Sequence, residues 1–153
     1  MLIDLSSTTL FPVDDAGRLF ISPAIVEWES IHAADIRVII DLEGDLDAGV
    51  STRPGQLLYL YHPIYDEGLP HLPTFHAVAR MAADLMRNGH RVLAHCGMGY
   101  NRSALMAGVI LTEMGVTGEQ AVARLRERRP GALFNDTFAS YLASLPAKHV
   151  ATV

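Results

Sequence analysis

Apolar residues fall in short continuous runs through the first part of the chain and at helical spacing through the rest. Arg18-Leu19-Phe20-Ile21, Arg37 to Leu42, Leu57 to Tyr61 and Arg91 to His95 are runs of four to six residues, the length of strands. The β-branched run Val38-Ile39-Ile40 has no polar alternation, which predicts a strand buried on both faces of a parallel sheet. Leu10-Phe11 predicts an edge strand, ended by Pro12 and the turn residues Asp14-Asp15-Ala16-Gly17. Between these runs the period changes. Phe75, Val78, Ala79, Ala82, Leu85 and Met86 recur at helical spacing and predict a helix from Thr74 to about Asn88, closed by Asn88-Gly89.

Ser22-Pro23 has the form of an N-cap and first-turn proline and predicts a helix over 24–33, with Trp28 packed on the core. Three more helices are predicted late in the chain, at 103–114, 121–128 and 134–145. Thr117 and Gln120 form a capping box before the second of them. Pro146 onward reads as a loose tail. Strands that alternate with helices, followed by helices alone, predict an α/β fold: one domain over 1–153 with a mostly parallel central sheet flanked by helices on both faces.

Composition narrows the function. Half of the 153 residues are hydrophobic, and the formal net charge of −5 argues against a nucleic-acid backbone or an anionic membrane as main partner. The single cysteine excludes an internal disulfide and a multi-cysteine metal site. With no signal-like start and no apolar run long enough to span a bilayer, a cytoplasmic location is expected. The acidic turn 43–47 has neither the spacing nor the terminal Glu of a calcium loop and reads as solvated.

The chemistry concentrates in one loop. Between the apolar run Val92-Leu93-Ala94 and the helix that starts near Ser103 lies His95-Cys96-Gly97-Met98-Gly99-Tyr100-Asn101-Arg102. Strand, glycine-bearing loop and helix N-terminus turn several backbone N–H groups toward one anion. The amides of Gly97, Met98, Gly99, Tyr100 and Asn101 and the planar fork of Arg102 suit the oxygens of a phosphate. The same groups favour an anionic sulfur at Cys96, the form in which cysteine is a nucleophile. Asn101 suits a loop position that needs a left-handed backbone. Ser103 could donate to the sulfur or cap the helix, and His95 is expected to hydrogen-bond loop backbone below the thiol. Tyr100 either lines the pocket wall or packs under the loop. Arg53 sits at a pocket rim or on open surface, and His62, His71, His76 and His90 show no ligand spacing.

His95-Cys96, five residues, then Arg102-Ser103 resembles the signature of cysteine-dependent protein tyrosine phosphatases, and Gly99-Tyr100 within it resembles the dual-specificity branch. Tyr61-His62-Pro63-Ile64-Tyr65-Asp66-Glu67-Gly68 is similar to the acid-loop segment of compact members such as the cyclin-kinase-associated phosphatase. Arg128 to Asn135 is similar to the segment that opens the last helix there and in the regenerating-liver phosphatases. The resemblance implies a two-step phosphomonoesterase. Cys96 would form a phosphocysteine, Arg102 and the loop would hold the phosphate, and Asp66, or its neighbour Glu67, would be the general acid. Asn135 would pin the last helix's loop behind the site or simply cap that helix. The resemblance implies no metal and no cofactor.

A phosphorylated protein or small phosphomonoester is the expected partner. Family members that act on polyphosphorylated inositol rings often carry lysines in this loop, so the resemblance, with a lysine-free loop here, implies that such rings are disfavoured but not excluded. The alternatives are the same chemistry on a non-protein phosphate, such as an RNA 5′ end, an inositol phosphate or a metabolite, and a phospho-binding module without turnover.

Overall fold

A computed structural model describes residues 7–148. Five strands form one sheet: β1 (Phe11–Pro12), β2 (Leu19–Ser22), β3 (Ile36–Asp41), β4 (Leu58–Tyr61) and β5 (Arg91–His95), in the order β1-β2-β5-β3-β4. β2, β5, β3 and β4 run parallel, and only β1 pairs antiparallel, on β2. The sheet is therefore mixed, with a short proline-containing edge strand where a missing N–H costs no central ladder bond.

The pleat divides the strand residues between two cores. Leu19, Ile21, Val38, Ile40, Val92 and Ala94 face the larger one. Phe20, Ile36, Ile39 and Leu93 face the smaller. The larger core is closed by α2 (Leu72–Arg87), α3 (Arg102–Glu113), α4 (Gly118–Arg128) and α5 (Asp136–Ala143), the smaller by α1 (Glu29–Ala33). Every residue of α3 from Ser103 to Glu113 is buried, so this helix is wrapped on all sides. Gly108 permits it: a Cβ there would lie 2.2 Å from Leu142 Cδ2 on α5.

Several helix boundaries differ from the sequence expectation, among them that of α4, which starts at Gly118 and not at 121. The helix predicted over 24–33 is one turn, Glu29–Ala33. Its first half is held open by side chains. Thr8 Oγ1 accepts from the amides of Val26 (3.0 Å) and Glu27 (3.2 Å), and the Glu27 carboxylate accepts from the amides of Thr8 and Ser30 (2.9 Å each). Amides engaged this way are unavailable to a helix. The last helix starts at Asp136, two residues later than predicted, with Asn135 as its N-cap, and ends at Ala143. α2 begins at Leu72, before Thr74, with Pro73 in the first turn, where its missing N–H is harmless. The capping box of Thr117 and Gln120 forms as expected. At the chain's end the Lys148 amide donates to Thr112 O at 3.0 Å and its ammonium meets Glu113 at 2.5 Å. The rest of the expected tail lies outside the described residues.

Candidate active site

The C-terminal ends of β2, β5 and β3 meet around Cys96. The sulfur is almost wholly buried, with the residue 1% exposed. Gly99 N–H donates to Sγ at 3.3 Å, and the thiol lies 3.4 Å from Ser103 Oγ, to which it donates in this geometry. Ser103 is inside the first turn of α3, while the N-cap position belongs to Asn101, so the capping reading of Ser103 does not hold.

The loop leans on the end of β2: Cys96 N–H donates to Ser22 O (3.4 Å) and Ala24 N–H to Gly97 O (3.1 Å). Gly99 carries the left-handed conformation, at φ +75°, and a Cβ there would lie 2.7 Å from Pro23 N. The expectation of a left-handed Asn101 is overturned. Its φ is −116° and ψ −60°, because the neighbouring glycine already makes the turn and Asn101 is the entry to α3.

Arg102 opens α3 and reaches a cavity of about 570 Å³ whose walls include Glu43, Ile64, Tyr65, Asp66 and Glu67. Its Nη2 lies 3.6 Å from Glu43 Oε2. The reading of 43–47 as a solvated turn therefore fails for two of its carboxylates. Glu43 packs over Gly97 and Arg102, its amide anchored on Asp41 Oδ1 at 2.9 Å, and Asp47 turns inward to His95.

Asp66 lies on the exposed loop after β4, on the same cavity wall. Both of its oxygens accept hydrogen bonds: Oδ2 from Asn101 Nδ2 and Oδ1 from Asn135 Nδ2, each at 2.9 Å. Asn135 Nδ2 also donates to Glu67 O (3.1 Å), and its Oδ1 accepts from Phe138 N–H (3.2 Å), so Asn135 both caps α5 and ties the acid loop down. Glu67 is exposed and lines the same cavity.

On the opposite side of the loop, His95 Nε2 meets Asp47 Oδ2 at 2.6 Å and lies 3.5 Å from Asp41 Oδ1. The Tyr59 hydroxyl donates to Asp41 and accepts from the Asp47 amide at 3.0 Å. His95 Nδ1 is buried with no hydrogen-bond partner, so the expected bond to loop backbone is replaced by carboxylate contacts through the other ring nitrogen. Burial pushes the Asp41 carboxyl above its ordinary value, against the pull of the Tyr59 hydroxyl. Burial and the Asp41 bond push the Tyr59 phenol up in turn. Asp41, Asp47 and His95 are the three described residues whose metal-type ligand atoms lie mutually within 4.8 Å, yet those atoms already satisfy one another.

Of the other candidates, Tyr100 packs under the loop. Its ring faces the Arg129 guanidinium at 4.0 Å and the Phe134 ring at 5.8 Å, and its carbonyl accepts from Leu133 N–H at 2.8 Å. Met98 is exposed, and its carbonyl accepts from Arg129. Arg53 lines a shallow depression at the opposite end of β3, beside His32 and Arg37. His76 meets Tyr141 Oη at 2.6 Å, and burial lowers the imidazole pKa of both His62 and His76. Neither histidine lines the Arg102 cavity.

Of the residues that sequence reading found, Arg102 and Asp66 line one cavity, and Ser103 lies 3.4 Å from the buried Cys96 sulfur. Sequence reading missed Glu43, Asp47, Asp41 and Tyr59. Asp41 was detectable only once β3 was known to pair with β5 in the register that sets it beside His95.

A family model described as "Dual specificity phosphatase, catalytic domain" matches residues 22–147. The chain is 31% identical over 98 residues to cyclin-dependent kinase inhibitor 3 of Rattus norvegicus, and 31% identical over 97 residues to the protein of that name in Mus musculus. Each match covers 55% of this chain and 46% of the relative, so the matched region spans about half the length of these curated relatives. Among solved structures, a mouse putative dual specificity phosphatase complexed with zinc tungstate superposes with TM-score 0.75 at 21% identity, covering 93% of this chain and 89% of that one. Tk-PTP in its active form gives 0.71 at 23%, covering 92% and 98%. Kinase associated phosphatase with its catalytic cysteine replaced by serine gives 0.67 at 19%, covering 88% and 90%. At these identities the superpositions establish the fold.

Proposed function

The chain belongs to the dual specificity phosphatase catalytic-domain family, and from that premise we propose that it hydrolyses phosphomonoesters on proteins through a phosphocysteine at Cys96. The observation that carries this reading is a buried Cys96 thiol that accepts from the Gly99 amide, followed six residues on by Arg102, which opens α3 and lines one cavity with the clamped Asp66 carboxyl.

In the first step the Cys96 thiolate attacks phosphorus. The S–P bond forms as the ester P–O bond breaks, and Asp66 gives its proton to the departing oxygen. Arg102 and the loop amides hold the non-bridging oxygens, where the transition-state charge sits. In the second step the Asp66 carboxylate takes a proton from the attacking water, the S–P bond breaks, and phosphate and thiolate are released. The Ser103 hydroxyl, 3.4 Å from Sγ, rotates to donate to the sulfur as it leaves. Asp66 is preferred to Glu67 because its carboxylate is the one that both asparagines fix.

The cleft also bears on the carrier of the phosphate. Three carboxylates, Glu43, Asp66 and Glu67, face one guanidinium, Arg102. That wall repels a polyphosphate or nucleic-acid chain and favours a single phosphate on a neutral or basic carrier. The domain therefore acts on phosphorylated side chains.

Hydrolysis of an aryl phosphate and of a phosphopeptide panel, without added metal, tests the reading. The wild-type chain turns both over, and Cys96→Ser reduces both to background. Turnover that survives Cys96→Ser overturns the mechanism. A clear preference for RNA 5′ phosphates or inositol phosphates over every phosphopeptide overturns the substrate class.

A further inference from the structure

Asn101 stands between the phosphate loop and α3, with a side chain that does nothing for the helix it precedes. The residue is 2% exposed and makes no cap bond to α3. Its carboxamide is used in two other directions. Nδ2 donates to Asp66 Oδ2 at 2.9 Å, and Oδ1 accepts the backbone N–H of Asn135 at 2.9 Å. Asn135 completes the figure by donating from Nδ2 to the other Asp66 oxygen at 2.9 Å. The carboxylate of an exposed loop is thus gripped on both oxygens by donors from two segments, the buried end of the phosphate loop and the half-buried N-cap of α5, and those segments are bonded to each other.

We propose that Asn101 and Asn135 are positioning residues that clamp Asp66, so that the phosphate loop itself sets the orientation of the proton donor. The inference rests on the phosphatase reading above. Asn101 lies one residue before Arg102, so whatever orders the loop around a phosphate also fixes the point to which Asp66 is tied.

A carboxamide is suited to this task in three ways. It is neutral, so it does not compete with Arg102 for the phosphate or pair permanently with the acid. It offers a donor to Asp66 and an acceptor to Asn135 from the same planar group. And the two carboxamides together occupy one acceptor site on each Asp66 oxygen, while a carboxylate has about four, which leaves room for the proton and the leaving oxygen.

The discriminating variant is Asn101→Asp. It keeps an oxygen for the Asn135 amide, which is the structural half of the side chain's role. It replaces the donor to Asp66 by a second carboxylate, which removes the positioning half. Two substrates separate the steps: an aryl phosphate, whose leaving group departs with little help from an acid, and an alkyl phosphate of the phosphoserine kind, which needs the proton.

Steady-state kinetics on the full chain are expected to show kcat for the alkyl ester reduced about ten- to a hundredfold in Asn101→Asp, the size of one or two lost hydrogen bonds to a charged group. The loss on the aryl ester should be several-fold smaller and KM little changed. Asn135→Ala is expected to shift the alkyl-to-aryl ratio in the same direction. In an Asp66→Ala background, Asn101→Ala should add no further loss on the alkyl ester, because its partner is already gone.

An unchanged alkyl-to-aryl ratio in Asn101→Asp overturns the clamp, as does a loss that persists undiminished in the Asp66→Ala background. If Asn101→Asp lowers the melting midpoint sharply, the Asn135→Ala ratio and the Asp66 cycle decide between the same two results. Failure of the underlying phosphatase reading is seen separately, as turnover that survives Cys96→Ser whatever the ratio.

Discussion

On the cleft side of the Cys96 loop, Asp66 is exposed and held by two neutral carboxamides. On the sheet side, His95 and Asp41 are fully buried and meet each other, Asp47 and Tyr59, all ionisable. Carboxamide donors fix where a carboxyl points, which is what a group that must give a proton to one particular oxygen requires. Ionisable partners in a buried site hold the ends of β3 and β5 in register strongly, because removing one leaves another without its compensation. The comparison separates a side built to exchange protons from a side built to keep a strand end in place. Substitutions on the first should cost rate and spare the fold; those on the second should cost the fold first.

The largest effect is expected at Asp66. Asp66→Ala should lower turnover of an alkyl phosphate by about 10²–10⁴, the usual span for a lost general acid, with little change in the melting midpoint. A matching loss of stability would blur the contrast, and turnover near wild type would move the acid role to Glu67.

Asp41→Ala comes next. It strips the acceptor from the Tyr59 hydroxyl and the Glu43 amide. Leaving such groups unmade costs about 1–3 kcal/mol each, so a destabilisation of about 2–4 kcal/mol is expected in chemical denaturation. An effect below about 1 kcal/mol would show that the sheet side is not the anchor claimed for it.

These expectations rest on parts that were unequally legible in the sequence. The phosphate loop was readable because its chemistry is local: Cys96, Gly99, Arg102 and Ser103 lie within eight residues, and strand, turn and helix signals bracket them. The strands were readable because burial on both faces leaves continuous apolar runs. The first half of the helix predicted over 24–33 failed because Thr8, distant in sequence, takes the amides of Val26 and Glu27, which no local signal carries. The charged turn 43–47 looked solvated for a similar reason. Glu43 and Asp47 have inward partners, Arg102 and His95, that only the parallel pairing of β3 with β5 brings near. Asn101 was read for its backbone, while its side chain is what reaches Asp66.

The pH dependence of stability sharpens the comparison further. The Asp41 carboxyl is raised above its ordinary value, burial being the main cause. The folded state then holds this proton more tightly than the unfolded chain does. Between the ordinary value of 3.8 and the raised one, the contribution of Asp41 to stability falls as pH rises. Asn at this position has no proton to lose. The melting midpoint of Asp41→Asn relative to wild type should therefore climb as pH is raised from the acid side toward neutrality. A flat difference would mean that the partners of Asp41 fully offset its burial.

The smallest effect belongs to Glu27, and its sign is opposite. Bonds from the Ser30 hydroxyl, then the Thr8 and Ser30 amides, lower its pKa to about 2 from the ordinary 4.5. A lowered carboxyl contributes stability above its unfolded value and loses it as pH falls through the folded one, here between about 4.5 and about 2. Glu27→Gln should flatten that acid limb of the melting curve while leaving neutral-pH turnover close to wild type. The segment it holds matters because the neighbouring Ser22, Pro23 and Ala24 brace Cys96, Gly97 and Gly99 from behind. Loosening it at low pH should slow aryl and alkyl esters alike, since the thiol and the phosphate cradle are disturbed together and the Asp66 clamp is not. An acid-pH loss confined to the alkyl ester would instead tie residues 22–27 to the proton-donating side and undo the division between the two flanks.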